Sequence, residues 1–160
     1  MWLDIIIIFL LILLNGFFAL SEIAIVSARK NKLESERKKG SKGALRALIL
    51  RSEPDNFLSS VQVGITLIGI INGAYGGQAF AFYLVPFFEQ FPVTAPFADA
   101  IAMVLVVFII TYFSIVIGEL VPKTMALNNP EKLAIAAAPA IHLVSIIFYP
   151  FVKLLSLSTN

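Results

Sequence analysis

The sequence predicts an all-α membrane protein with three transmembrane helices, short cytoplasmic helices and an interfacial juxtamembrane helix. Three observations carry this expectation. The 160 residues are 59% hydrophobic and only 14% charged, with a mean hydropathy of +0.90, too apolar for a soluble domain of this length. The apolar residues gather into runs of the ~20 residues that a helix needs to cross a ~30 Å hydrocarbon core. Nine of the twelve basic residues, Arg29 to Arg51, fall between the first two of those runs.

The first run, residues 3–26, is too long for a signal-peptide core, and Asp4 with no preceding Lys or Arg is the wrong flank for one, so it is read as a retained span. Residues 31–52 mix charge with the helical pattern ALRALILR, which predicts two short helices around a turn at Gly40 and Gly43. Glu53-Pro54 suits the start of the second span, residues 57–85, with Ser52 or Asp55 as its cap. The loop at 86–99 holds three prolines and four phenylalanines, predicting a short, stiff link to the third span, residues 100–121. A fourth apolar stretch, residues 133–155, contains Pro139, His142, Pro150 and Lys153 and follows Lys123 and Lys132. That composition predicts a helix lying at the inner interface.

The positive-inside rule places 29–51 in the cytoplasm, and hence the N-terminus and the 86–99 loop outside and the C-terminus inside a plasma or inner membrane. The basic cluster is interrupted by Glu34, Glu36, Glu53 and Asp55 and needs only anionic lipid heads as partners, so nucleic acid is not expected. With no cysteine and a single histidine, thiolate and zinc chemistry are excluded. The 86–99 loop offers no catalytic constellation, and the chain is expected not to be an enzyme.

Polar side chains inside lipid cost several kcal/mol when unpaired, roughly as for any desolvated polar group, so those within the spans are the functional candidates. The first span carries Asn15, Ser21 and Glu22. Glu22 lies only seven residues before Arg29, and interfacial water or a cytoplasmic cation accounts for it as readily as a ligand. In the second span Ser59, Gln62, Thr66, Gly69, Gly73 and Gly77 fall within about 80° of one another at 100° per residue. The glycine spacing is that of a close helix–helix seam. In the third, Glu119 sits between Gly118 and Pro122. Proline removes a backbone donor and clashes with the carbonyl four residues back, that of Gly118. A disturbed helix there frees carbonyl oxygens beside a carboxylate, the way membrane transporters build ion sites. Hydroxyl, amide and carboxylate oxygens suit a hard cation such as Mg²⁺ or Na⁺.

NGFFALSEIAIVSARK, SVQVGITLIGI and VIGELVPKTMALNNPEKLA resemble, in order and spacing, the transmembrane domain of the CorC and cyclin M (CNNM) magnesium transporters. The resemblance covers essentially the whole chain. It implies a homodimer in the lipid bilayer, cytoplasmic CBS modules following this domain in a longer chain, and Mg²⁺ export coupled to Na⁺. It also implies that Glu119, in the family's G-E-x-x-P motif, is the charged cation ligand. Gln62 and Thr66 stand near the family's second-helix ligands, and its first-helix serine falls at Ala19 or, one step shifted, at Ser21. The expected metal ligands are therefore Glu119, Thr66, Gln62 and Ser21. The alternatives are a transporter of another cation, such as Na⁺ or an organic amine, or a non-transporting anchor and dimerisation module.

Overall fold

A computed structural model describes residues 1–159, which form seven α-helices and no strand. Helix α1 (Trp2–Ser27) is 26 residues long, about 39 Å at 1.5 Å per residue, enough to cross a bilayer. Two short helices follow, α2 (Lys30–Lys38) and α3 (Lys42–Ser52). Gly40 makes the turn between them with φ +93°, a left-handed conformation that glycine adopts without strain. Gly43 is not part of the turn, contrary to expectation. It lies inside α3, where a Cβ would run into the backbone oxygen of Ile135. Ser41 caps α3, accepting from the Ala44 N–H at 3.2 Å.

Helix α4 (Pro54–Glu89) is 36 residues long and passes through Pro86. Neither Ser52 nor Asp55 caps it: Glu53 is the residue before its first turn, and the Ser52 hydroxyl instead donates to Ile49 O at 2.6 Å. A 3₁₀ turn (Ala95–Phe97) leads into α5 (Ala98–Ile115), a π turn (Val116–Leu120) and α6 (Val121–Asn128). The third apolar helix thus continues beyond Pro122 instead of stopping there. Last comes α7 (Pro130–Thr159), continuous through Pro139 and Pro150.

Four helical stretches are long and apolar enough to cross a membrane: α1, α4, the run from 95 to 128, and α7. Large apolar side chains such as Phe82, Val104, Phe108 and Ile147 point outward, as lipid-facing surfaces require. One apolar core joins α1, α3, α4 and α7 through Phe18, Ile25, Leu50, Phe57, Val61 and Ile141. A smaller one, Ile8, Ile12, Val106 and Ile110, holds α5 against α1.

The position of α7 follows from its neighbours. Its first turn is tied to the end of α1 by Glu131, 2.8 Å from Arg29, and Ile135 lies against Gly43 of α3. Its last residues, Ser156 and Thr159, share a hollow with Asp55 and Asn56 at the start of α4. One end of α7 therefore neighbours Arg29, just after α1, and the other the acidic start of α4. Arg51, at the end of α3, completes this layer by donating from Nη1 to the carbonyls of Ile25, Val26 (2.9 Å) and Ala28. A guanidinium there satisfies the last carbonyls of α1 and opposes the negative end of its dipole.

Candidate cation site

The third apolar helix is disturbed where Pro122 predicts. The Val121 N–H bonds to Val116 O, five residues back, making a π turn. Pro122 has no N–H to offer Gly118 O, and that carbonyl accepts instead from Asn15 Nδ2 of α1 at 3.0 Å. Two glycines make the approach possible. A Cβ on Gly16 would lie 3.0 Å from Pro122 Cγ, and one on Gly118 would lie 3.2 Å from Ile12 O. The freed carbonyl therefore locks α1 to the π turn.

Glu119 lies in that turn, half-exposed, with Oε1 2.7 Å from Lys123 Nζ. Its charge already has a partner four residues on. The oxygen side chains expected beside it are elsewhere: among the described residues, the π turn touches α1, α5 and α6 and has no contact with α4, which carries Gln62 and Thr66. Ser21 is fully buried and donates to Phe17 O at 2.6 Å.

Gln62 and Thr66 do come together, in a groove of about 680 Å³ that they share with Ser59 and Glu22. Its remaining wall is apolar, from Leu58, Val63, Leu67 and Ile70 of α4 and from Phe151 and Leu155 of α7. No Lys or Arg lines it, and Glu22 forms no ion pair among the described residues. Arg29, the cation that its sequence position offers, is held by Glu131 instead. Glu22 is the residue that sequence reasoning undervalued. Its seven-residue spacing from Asn15 gave no usable signal, because Asn15 turns to Gly118 O while Glu22 lines the groove beside α4.

The rest of the α4 face divides. Gly77 packs against Met103 and Val107 of α5, whereas nothing lies within 4 Å of a Cβ built on Gly69 or Gly73. Above them Asn72, 3% exposed, donates to Ser114 Oγ at 3.0 Å. No group of three or more His, Cys, Asp or Glu side chains that would hold a metal ion occurs among the described residues. The arrangement offers one unpaired carboxylate, three neutral oxygen-bearing side chains and an apolar wall. Such a donor set can receive a cation without enclosing it in acid groups.

Long apolar helices, short basic helices at one end and a proline-marked π turn define a polytopic helical membrane domain. The chain belongs to the cyclin M (CNNM) transmembrane family: the pattern of the "Cyclin M transmembrane N-terminal domain" matches residues 5–160. It is 51% identical over 158 residues to UPF0053 protein sll0260 of Synechocystis, covering 99% of this chain and 35% of that one. To UPF0053 protein YhdT of Bacillus subtilis it is 34% identical, covering 96% of this chain and 33% of the relative. To a protein of Haemophilus influenzae named "Polyamine export protein" it is 30% identical, over 89% and 33%. The chain thus spans about a third of the length of these relatives.

Proposed function

We propose that this chain is the membrane domain of a non-enzymatic cation exporter, and that the cargo binds in the groove of Glu22, Ser59, Gln62 and Thr66. One observation carries the reading: a carboxylate within a membrane-spanning helix has no basic partner and faces a groove with three neutral oxygen-bearing side chains. An uncompensated charge at that depth is costly, and a bound cation removes the cost. The apolar wall supports an organic amine, whose methylenes it would bury, over a small metal ion. The name of the Haemophilus relative points to the same class.

Mg²⁺ exchanged for Na⁺ is the second reading. The resemblance in GELVPK favours it, as does the π turn that carries Glu119. Mg²⁺ keeps several waters and needs only one or two carboxylates, so a hydrated ion also fits the groove. In either case the basic segment 29–51 is the cytoplasmic side, α7 lies along the inner interface, and a second copy covers Gly69 and Gly73.

Titration calorimetry on the purified chain tests the reading. Spermidine binds saturably to wild type and at least about tenfold more weakly to Glu22→Gln, as loss of one charged contact requires. If Mg²⁺ binds instead and Glu119→Gln alone weakens it, the second reading replaces the first. If no cation binds, the domain is an anchor.

A further inference from the structure

We propose that the cavity between α3, α4 and α7 is a second binding site, taking a primary alkylammonium group at the basic end of the bundle. The cavity holds about 320 Å³ and lies away from the groove's Glu22. Asn56 of α4 and Ser145 of α7 both line it. Asn56 Oδ1 and Ser145 Oγ are both buried without a hydrogen-bond partner, and Ser145 is only 7% exposed. Two such atoms on the walls of one cavity imply an occupant that hydrogen-bonds to both.

The rest of the lining selects its chemistry. Glu53 contributes a carboxylate, His142 an imidazole, Tyr149 and Phe57 aromatic rings, and no Lys or Arg lines the cavity. Carboxylate, amide oxygen and aromatic faces together favour a cation. A primary ammonium has three N–H donors, enough for Asn56 Oδ1, Ser145 Oγ and Glu53 at once. A quaternary ammonium has none to give them. Ile49 and Ile146 offer apolar surface to the stem that carries the group.

Location gives the site its use. Asn56 and Tyr149 also line the next hollow along α7, and Ser59 and Leu155 join that hollow to the groove of Glu22. The three hollows are therefore neighbours in a row between α4 and α7. A cargo amine held by Asn56 and Ser145 stands two hollows from Glu22, with Asp55, Ser59 and Lys153 lining the hollow between. This use of the site rests on the amine-export reading above. The ammonium site itself does not, because the headgroup of phosphatidylethanolamine offers the same chemistry.

The test uses the purified chain in nanodiscs of phosphatidylcholine and phosphatidylglycerol, titrated with spermidine. Wild type is compared with Ser145→Ala, Asn56→Leu and Glu22→Gln. The proposal expects two spermidine sites in wild type. One weakens about tenfold in Ser145→Ala and in Asn56→Leu, the effect of losing a hydrogen bond to a charged group, and persists in Glu22→Gln. If Glu22→Gln abolishes all binding while the cavity variants titrate like wild type, the cavity proposal fails and the groove stands. If only the cavity variants lose binding, the groove reading fails and the cavity stands. A second arm adds phosphatidylethanolamine to the bilayer and counts retained lipids by native mass spectrometry. Retention by wild type and loss in Ser145→Ala assigns the ammonium to lipid. If neither spermidine nor phosphatidylethanolamine distinguishes wild type from the cavity variants, the cavity holds only water and the proposal is overturned. Ser145→Ala removes a single oxygen, so it decides the matter even if Asn56→Leu fails to fold.

Discussion

Glu22 and Glu119 are the two carboxylates near the basic ends of the apolar helices, and their partners separate their roles. Glu119 is bonded to Lys123, four residues along the same helical stretch and about one-third exposed. An i,i+4 pair with that much exposure contributes less than about 1 kcal/mol. Glu119→Gln and Lys123→Ala should therefore each shift thermal unfolding in detergent only slightly, and leave spermidine affinity as it was. Glu22→Gln should leave the melting temperature unchanged or raise it, since it removes an unpaired charge, while lowering affinity. Glu119 was legible in the sequence because its signal is local: a glycine and a proline beside an acid. Glu22 was not, because its apparent partner Arg29 is taken by Glu131, a residue 102 positions further along the chain. Spacing cannot reveal a competition of that range.

At the scale of elements, the disturbance at Gly118 to Pro122 was readable and its form was not. Proline alone dictates that the Gly118 carbonyl loses its helical donor. That the helix continues through a π turn depends on Asn15, which reaches that carbonyl from another helix. Asn15→Leu should leave Gly118 O unpartnered in an apolar setting and destabilise the domain by about 1–3 kcal/mol. Gly16→Leu should do more damage, because its side chain would meet Pro122 and Ile117 O. Thermal unfolding followed by circular dichroism reads both. Arg51 gives a similar lesson: its charge was assigned to the cytoplasmic cluster, whereas its guanidinium holds the carbonyls of Ile25, Val26 and Ala28 at the end of α1. Arg51→Met, which keeps the apolar stem, should cost about 1.5–3 kcal/mol, the range for hydrogen bonds to a charged group. Hydrogen exchange should quicken first in residues 24–28.

For the whole molecule, the all-α membrane class and the order of long and short helices were legible from composition and run length. The packing of α7 was not legible. Its prolines and neighbouring lysines pointed to an interface, but the contacts that place it, with Arg29, Gly43 and Asn56, come from three other helices. The open space around Gly69 and Gly73 sets a prediction at this scale. Gly73→Leu should leave the monomer's stability intact, since no neighbour in the chain is displaced, and should lower the dimer fraction in detergent by light scattering. An unchanged dimer fraction would mean that this face meets lipid. The central claim is that Glu22 holds the cargo cation, and carboxyl ¹³C NMR of the glutamate-labelled chain during a spermidine titration tests it most directly. The account predicts a saturable shift of the Glu22 resonance while that of Glu119 stays in place. Movement of Glu119 with Glu22 unaffected would contradict it.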